Sequence, residues 1–596
     1  MQFDLLVRVP AGSLLIGGYN SVPDGLHGVH ASDRDGVPVV PSTALRGALR
    51  ETYEALLRGA AEPADPPPAC AAGTGLQPGE TERPRPCRLG EAGGRCLACR
   101  LFGGQQDGLA GDRLFSALVL GEARPTGETP AWFELPGVAS RRSTRAAEED
   151  RLFIRRVPAP DLEFRASGRL LDPSLRGAFE AAVLATSHLG SGRSRGLARV
   201  ELRVDWRTDA PTDAPALPDG DLRVRVTLRT PAALGVPIAD DNLRDTRREV
   251  PGSALRGAVG FALAERRTGE DPVMERLLAE DGAAFGFLHA VDDAITEGPA
   301  APLPITAVAC KHGGREHVLE DTLLAALLAA HVDSPAAANR VHALSTTRCP
   351  RCDGPLRACV GGRRRTLPLP TRTVTRVSIE RTSSAARDGL LFSQVLLEPG
   401  VTFEGTIRDV PDETRGHLAR ALHAPLSLGR GRAHGWGRVD VAVSAASQPQ
   451  PLEDRGRAFA EALHAALRRA DLPSDRVGRL VPVTLLAPLI PDEGDVDGTN
   501  ALCAALAPAT VYLRVRRFTR EGGWDQRSGA MQSALAVAAG AVFVVELTDR
   551  NWADCREQLA ELERRGLGQR RCQGYGHITL FDPFILHTTA LRSAAR

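Results

Sequence analysis

Apolar residues fall at two spacings along this chain, and the switch between them repeats. The stretch "LLVRVPAGSLLIGG" (5–18) reads as a strand, and "VPSTALRGALRETYEALL" (40–57) carries apolar residues at helical intervals. The same succession returns as "LRVRVTLRTPAALG" (222–235) and "VPGSALRGAVGFALAERR" (250–267). Further on, "LPGVASRRSTRAAEEDRLFIRRV" (135–157) is echoed by "TRTVTRVSIERTSSAARDGLLFSQV" (371–395). Each copy then reaches a glycine-arginine phrase, "LGSGRSRGLARVEL" (189–202) and "LGRGRAHGWGRVDV" (428–441). Four landmarks in one order indicate a duplicated unit. A shorter third unit runs from "LVPVTLLAPLI" (480–490) to "ITLFDPFI" (578–585). It keeps a fainter phrase, "GLGQRRCQGYGHIT" (566–579), and a helix at 552–565, but no "ALRGA" segment. Strands alternating with helices predict an α+β chain of tandem ferredoxin-like (RRM-like) βαββαβ domains.

The expected division is 1–205, a linker at 206–220, 221–445, a linker helix within 446–478, and 479–596. The first linker, "WRTDAPTDAPALPDG", is rich in Pro, Asp and Thr. The linker helix, "EDRGRAFAEALHAALRRADL", sets Phe459, Leu463, Ala466 and Leu467 on one face.

Composition narrows the partners. The 596 residues are 43% hydrophobic and 25% charged, ordinary for a globular protein, and the formal net charge is only +1. Any polyanion site must therefore be a local patch. Nearly every cation is arginine, and Lys311 is the single lysine. The amino terminus reads as a strand and not a signal peptide, and no stretch is apolar enough for a membrane helix. A cytoplasmic location is expected, where the eleven cysteines would stay reduced.

The glycine-arginine phrases carry the candidate chemistry. Gly190, Gly192, Gly196, Gly429, Gly431 and Gly435 let the backbone approach a ligand closely, and successive N–H groups can form an anion nest. Arg193, Arg195, Arg430 and Arg432 would add bidentate phosphate contacts, with His434 beside them. One such loop is explained by a turn with solvated arginines. Two near-copies in matching places suggest shared chemistry. The "ALRGA" helices add N-terminal N–H groups capped by Ser42, Thr43 or Ser253, with Arg46 and Arg256 one turn inside. Loop and helix end together would cradle a phosphate backbone.

Two cysteine sets point to structural zinc. Cys70, Cys87, Cys96 and Cys99 lie in a Pro/Gly-rich insertion (about 65–100), and Cys310, Cys349 and Cys352 lie in a second (about 305–360). The fourth ligand of the second set could be Cys359, His317, His342 or His312, and spacing does not choose.

The order "VPSTALRGA", "CRLFG", "PGVASRRSTRAAEEDRLF" and "LGSGRSRGLARV" resembles the RAMP superfamily of CRISPR-associated proteins. Residues 1–205 are similar to one backbone subunit of a type III effector. Residues 220–582 are similar to the large RAMP subunit of type III-D complexes, through "VPGSALRGA", "APLPITAVACKHGG", "CPRC", "RVSIERTSSAARDGLLFSQ", "GGWDQRSG" and "AAGAVFVVEL". The resemblance implies a subunit that grips the guide RNA (crRNA), caps its 5′ region and meets single-stranded target RNA beside other effector subunits. It also implies a β-hairpin thumb between first strand and helix, and structural zinc. Related backbone subunits cut target RNA through a loop aspartate with Mg²⁺. Asp24 is the best positional match, ahead of Asp33 and Asp35, with Asp240 and Asp241 in the second unit. A third alternative is a guide-processing ribonuclease using His27, His30 or His434.

Overall fold

A computed structural model gives the architecture. It describes residues 1–586 apart from 11, 18–25, 27, 34, 61–95, 104–115, 129, 208–214, 236–242, 265–271, 292–301, 313–318, 333, 345–347, 350, 359–368, 380–385, 448–449 and 526–529. The chain is mixed α/β, built mainly on antiparallel sheets. Among the described residues, no helix is long and apolar enough to cross a membrane.

The first unit places β1 (Gln2–Arg8), α1 (Ser42–Ala60), α2 (Leu97–Phe102) and β2 (Leu118–Leu120) before a long hairpin, β3 (Trp132–Ser140) and β4 (Ala147–Pro158). It closes with β5 (Glu163–Leu170), α3 (Arg176–Ala185) and β6 (Glu201–Arg207). The main sheet runs β2-β5-β1-β6, every neighbour antiparallel. Alternation dictates its faces: Phe3, Leu5 and Val7 point into a core that α1 and α3 cover with Leu45, Leu49 and Phe179.

The second unit repeats this plan. It runs through β7 (Leu222–Leu228), α4 (Gly252–Ala264), β8 (Ala284–Phe285) and β9 (Leu288–Ala290). An insertion follows, with β10 (Ala307–Cys310), β11 (Leu319–Asp321), α5 (Leu323–Ala330) and β12 (Leu356–Ala358). The second hairpin, β13 (Thr371–Ile379) and β14 (Ala386–Leu397), precedes β15 (Thr402–Arg408), α6 (Arg415–Leu422) and β16 (Arg438–Ala445). Its central order is β9-β15-β7-β16. Helix α7 (Leu452–Arg469) then buries Phe459, Leu463, Ala466 and Leu467.

The third unit is β17 (Leu480–Leu485), α8 (Thr499–Ala505), β18 (Ala509–Val515), a hairpin of β19 (Phe518–Asp525) and β20 (Ala530–Val537), β21 (Val542–Leu547), α9 (Arg556–Arg565) and β22 (Ile578–Leu580). Its sheet runs β18-β21-β17-β22. In all three main sheets the first strand thus lies between the unit's last strand and the strand that follows the long hairpin. The third unit has no "ALRGA" segment, yet "TNALCAA" (499–505) forms α8 between its first and second strands, with Cys503 where Arg46 and Arg256 stand. Strand β17 is buried on both faces, because α5 and α7 add Leu323, Leu327, Phe459 and Leu463 to its core. That explains the unbroken apolar run "LVPVTL". Burying each such leucine or phenylalanine contributes about 1.5–3 kcal/mol.

The thumb hairpin that the resemblance places between first strand and helix falls on segments partly outside the described residues, at 18–25 and 236–242. Three long hairpins lie elsewhere, each between its unit's first and last helices.

Candidate nucleic-acid interface

The three glycine-arginine loops adopt one conformation. Positive φ recurs at four matched positions: Gly190, Gly192, Gly196 and Ala198; Gly429, Gly431, Gly435 and Gly437; Gly568, Arg570, Gly574 and Gly576. A 3-10 turn sits between the second and third of these in every loop. Only glycine takes such φ values freely, which is why the glycines recur. The third loop, faint in sequence, has the full geometry with Arg570 at one left-handed position, φ 55°.

Each loop is fastened to the segment after its own first strand. Ser191 N–H donates to the Leu15 carbonyl (2.9 Å), Arg430 N–H to Ala233 (2.8 Å) and Gln569 N–H to Ile490 (2.9 Å). Two residues earlier on that segment, Ser13, Pro231 and Pro488 accept from Ala198, Gly437 and Gly576 at 3.0, 2.8 and 2.8 Å. These two N–H groups of each loop are spent holding it in place. What faces outward is the side chains. Arg193 is exposed, 3.5 Å from Glu51, and Arg195 and Arg430 are exposed as well. Arg432 is half-buried, its guanidinium carbon 3.3 Å from the Phe261 ring centroid.

Every loop also touches the hairpin of its own unit. Arg195 lies 6.0 Å from the Phe153 ring, which Arg155 approaches at 4.6 Å from the same hairpin. Trp436 of the second loop carries Arg376 at 4.3 Å. Tyr575 of the third donates to Glu521 at 3.3 Å. The first hairpin exposes Arg141, Arg142, Arg145 and Arg151 near its tip, and Phe133, Leu135, Val138 and Leu152 along its arms. Sequence inspection paired segments 135–157 and 371–395 without reading them as hairpins. The period-2 alternation around the polar "SRRST" tip was the available signal.

The helix starts differ from expectation. Ser42 is the first helical residue, and its hydroxyl donates to the Leu120 carbonyl (2.7 Å), so it anchors α1 to β2 and does not cap it. Arg46 is 8% exposed and does not face a ligand. Its guanidinium donates to the carbonyls of Leu118, Phe102 (2.9 Å) and Ala433 (3.0 Å) and to Ser116 Oγ (3.0 Å). Burial, with Arg50 nearby, lowers its pKa to about 10, still charged at neutral pH. Arg256 likewise donates to the Leu278 carbonyl. Thr43 and Ser253 are half-buried. His434 is pushed down to about 3 by burial and by Arg46 and Arg376, so it is a neutral ring, not a phosphate-pairing cation.

The proposed acid–base and nuclease groups divide by position. Asp24, His27, Asp240 and Asp241 fall outside the described residues. Asp33 pairs with Arg124 (2.9 Å) and accepts from the N–H groups of Asp35 and Val37, a turn-forming role. His30 is buried, accepts from Ile16 N–H through Nδ1, and is lowered to about 4 by burial.

Of the second cysteine set, Cys310, Cys349 and Cys352 bring their sulfurs within 4.8 Å of one another, a spacing that can hold a metal ion. Cys310 ends β10, and Cys349–Cys352 form a knuckle in which Cys349 N–H donates to Gly354 and Asp353 N–H to Cys349. His312 lies beside Cys352: a Cβ built on Gly354 would fall 3.0 Å from His312 Nε2 and 3.2 Å from Cys352 Sγ. Cys359 and His317 are outside the described residues. Of the first set, Cys96 caps α2 and accepts from Cys99 N–H at 3.4 Å, while Cys70 and Cys87 lie outside them.

No curated protein matches the chain. Among solved structures, a chain of the type III-B Cmr-beta complex, determined by cryo-EM with cognate target RNA and AMPPnP, aligns at 10% identity. It covers 57% of this chain and 88% of that one, with a TM-score of 0.31. A chain of a type IV-B CRISPR complex aligns at 15% identity over 36% of this chain and 95% of its own, with a TM-score of 0.24. The RAMP superfamily family description matches residues 12–201, a span that takes in the first loop, α1, the first hairpin and Arg193. That region, about a third of the chain, is what is similar to the RAMP superfamily.

Proposed function

We propose that this protein is a guide-RNA-binding subunit of a type III, III-D-like CRISPR effector, built from tandem ferredoxin-like units. It grips the crRNA backbone, caps its 5′ region and works beside target RNA and other effector subunits. The carrying observation is the pair of exposed arginines, Arg193 and Arg195, on a rigid loop against an arginine-rich hairpin, inside the segment matching the RAMP superfamily. Guanidinium forks fit phosphate bidentately, and Phe153 adds an aromatic face between two of them. The polymer would be recognised by backbone shape, leaving sequence to base pairing. Fluorescence anisotropy with single-stranded RNA over a salt series tests this. Charge reversal of Arg193 and Arg195 should weaken binding at least ten-fold and flatten the log–log salt slope by about 1.4, two phosphates' worth. An unchanged slope would rule the loop out as an RNA contact.

We also propose that Cys310, Cys349 and Cys352 hold structural zinc, with His312 as the adjacent fourth donor. Zinc there would tie β10 and β12 together and would contribute folding energy, not chemistry. Metal analysis of the purified chain should lose about one zinc on Cys349→Ser, and retention of full zinc would refute the site.

A further inference from the structure

The insertion of the second unit concentrates positive charge and then sorts it by face. Residues 302–368 carry nine arginines and lysines against five aspartates and glutamates, whereas the whole chain holds 74 against 73. The rest of the chain is therefore slightly acidic. Within the insertion, side chains alternate between the faces of each strand, and residues directly opposite on paired strands share a face. Arg357 lies opposite Ala309, Leu356 opposite Cys310, and Arg348 opposite Pro355, whose carbonyl accepts from Lys311 N–H at 3.0 Å. Lys311, Arg348 and Arg357 thus stand on one face of the ribbon, with Cys310, Cys349 and Leu356 on the other. Burial agrees, since the three cations are exposed while Cys310 and Cys349 are buried.

The charge on that face is not consumed by the fold. Among the described residues, neither Lys311 nor Arg357 pairs with a carboxylate. Arg348 reaches Asp353 at 2.8 Å, but the two side chains are 65% and 79% exposed, where an ion pair contributes little and yields to a competitor. Asp321, at the far end of the same face, is buried and accepts from Thr306 Oγ1 and Leu323 N–H. Balancing the cysteines does not account for the cations either. Three thiolates around a divalent ion leave one negative charge, and their sulfurs lie on the opposite face.

We propose that Lys311, Arg348 and Arg357 form a second RNA contact, separate from the glycine-arginine loops, which takes the phosphodiester backbone of a single strand. The ligand class rests on reading the chain as an RNA-binding protein, and the site itself does not. Its chemistry favours nucleic acid over an acidic protein. Among the described residues, no large hydrophobic side chain between 302 and 368 is exposed, so the face lacks the apolar centre that protein partners bury. The same segment contains no Phe, Trp or Tyr, so no ring is available to stack a base. Small Ala309 and flat Pro355 sit among the cations and let a strand lie close. Such a surface reads phosphate alone, and its binding is sequence-independent and steeply salt-dependent.

Anisotropy of a labelled single-stranded RNA over a salt series, with zinc-loaded full-length protein, tests it. Lys311→Glu combined with Arg357→Glu should weaken binding about five-fold and flatten the log–log slope by about 1.4, with zinc per chain unchanged. Lys311→Arg combined with Arg357→Lys keeps both charges and should keep the wild-type slope. Adding reversal of Arg193 and Arg195 should flatten the slope by about 2.8 in total, because distant sites act additively. A slope that responds to the loop reversal but not to Lys311→Glu with Arg357→Glu would overturn this surface alone. A slope that responds to the latter but not to the loop reversal would support it alone. Loss of zinc from Lys311→Glu with Arg357→Glu, or loss of an acidic protein partner at unchanged RNA affinity, would also overturn the proposal.

Discussion

Loops one and two have the same backbone and opposite surroundings. Both fix their left-handed residues by hydrogen bonds to the segment after their own first strand, so neither needs a neighbour to hold its shape. Loop two is nonetheless pressed onto the first unit, whereas at the matching Gly196 of loop one a Cβ meets nothing within 4 Å among the described residues. The conformation is therefore a property of the unit, and the junction a second use made of it. Arginines follow the same division. Arg46, at the junction, has its donors on protein carbonyls, whereas Arg193 and Arg195, on loop one, project to solvent.

The largest break in that comparison comes from Arg46. Arg46→Ala removes one guanidinium and leaves the Leu118, Phe102 and Ala433 carbonyls short of a buried donor, a loss of about 3–5 kcal/mol. Arg46→Lys should not restore it, because one ammonium lacks the planar fork that spans those acceptors. Arg195→Ala should stay within about 0.5 kcal/mol of wild type, as exposed substitutions do. Thermal melting separates the pair, and equal melting points for Arg46→Ala and wild type would refute the buried role.

A smaller contrast isolates the junction from the backbone. Gly196→Ala and Gly435→Ala share the strain of a side chain at positive φ, about 1–2 kcal/mol. Only Gly435→Ala also drives a Cβ into Gly121, so its total should reach roughly 3 kcal/mol. The expected signature is faster limited proteolysis between the first two units in Gly435→Ala alone. Similar cleavage in both variants would mean that the junction adds nothing.

What could be read in advance follows from which interactions are local. Strand and helix periodicity, the repeated unit and the glycine phrases depend on residues close in sequence, and they were legible. The third loop was faint because Arg570 replaces a glycine at one left-handed position and only the fold reveals the match. Helix α8 was missed because "ALCAA" lacks the arginine that marked its counterparts. The roles of Arg46 and Ser42 were misassigned for a different reason. Arg46 takes partners 56, 70, 72 and 387 residues away, and Ser42 donates to a carbonyl 78 residues on. No local pattern encodes acceptors that distant, so a buried anchor and a ligand contact look alike on the page.

The smallest expected effect is electrostatic and sharpens the comparison at one position. His434 sits where loop three has Gln573, and burial with Arg46 and Arg376 lowers its pKa from 6.5 to about 3. The folded chain thus keeps this ring neutral while the unfolded chain protonates it, so the unfolded state binds more protons between those values. Stability is full above about pH 6.5 and falls as the pH drops toward 3, by about 2 kcal/mol between pH 7 and pH 5 from this group. His30, lowered to about 4, adds a loss of the same sign, so wild type should soften steadily on acidification. His434→Gln installs the amide that loop three already uses. It should leave melting at pH 7.5 nearly unchanged and recover roughly 2 kcal/mol relative to wild type at pH 5. If the two proteins lose stability in parallel over that range, the imidazole is not held neutral by Arg46 and Arg376.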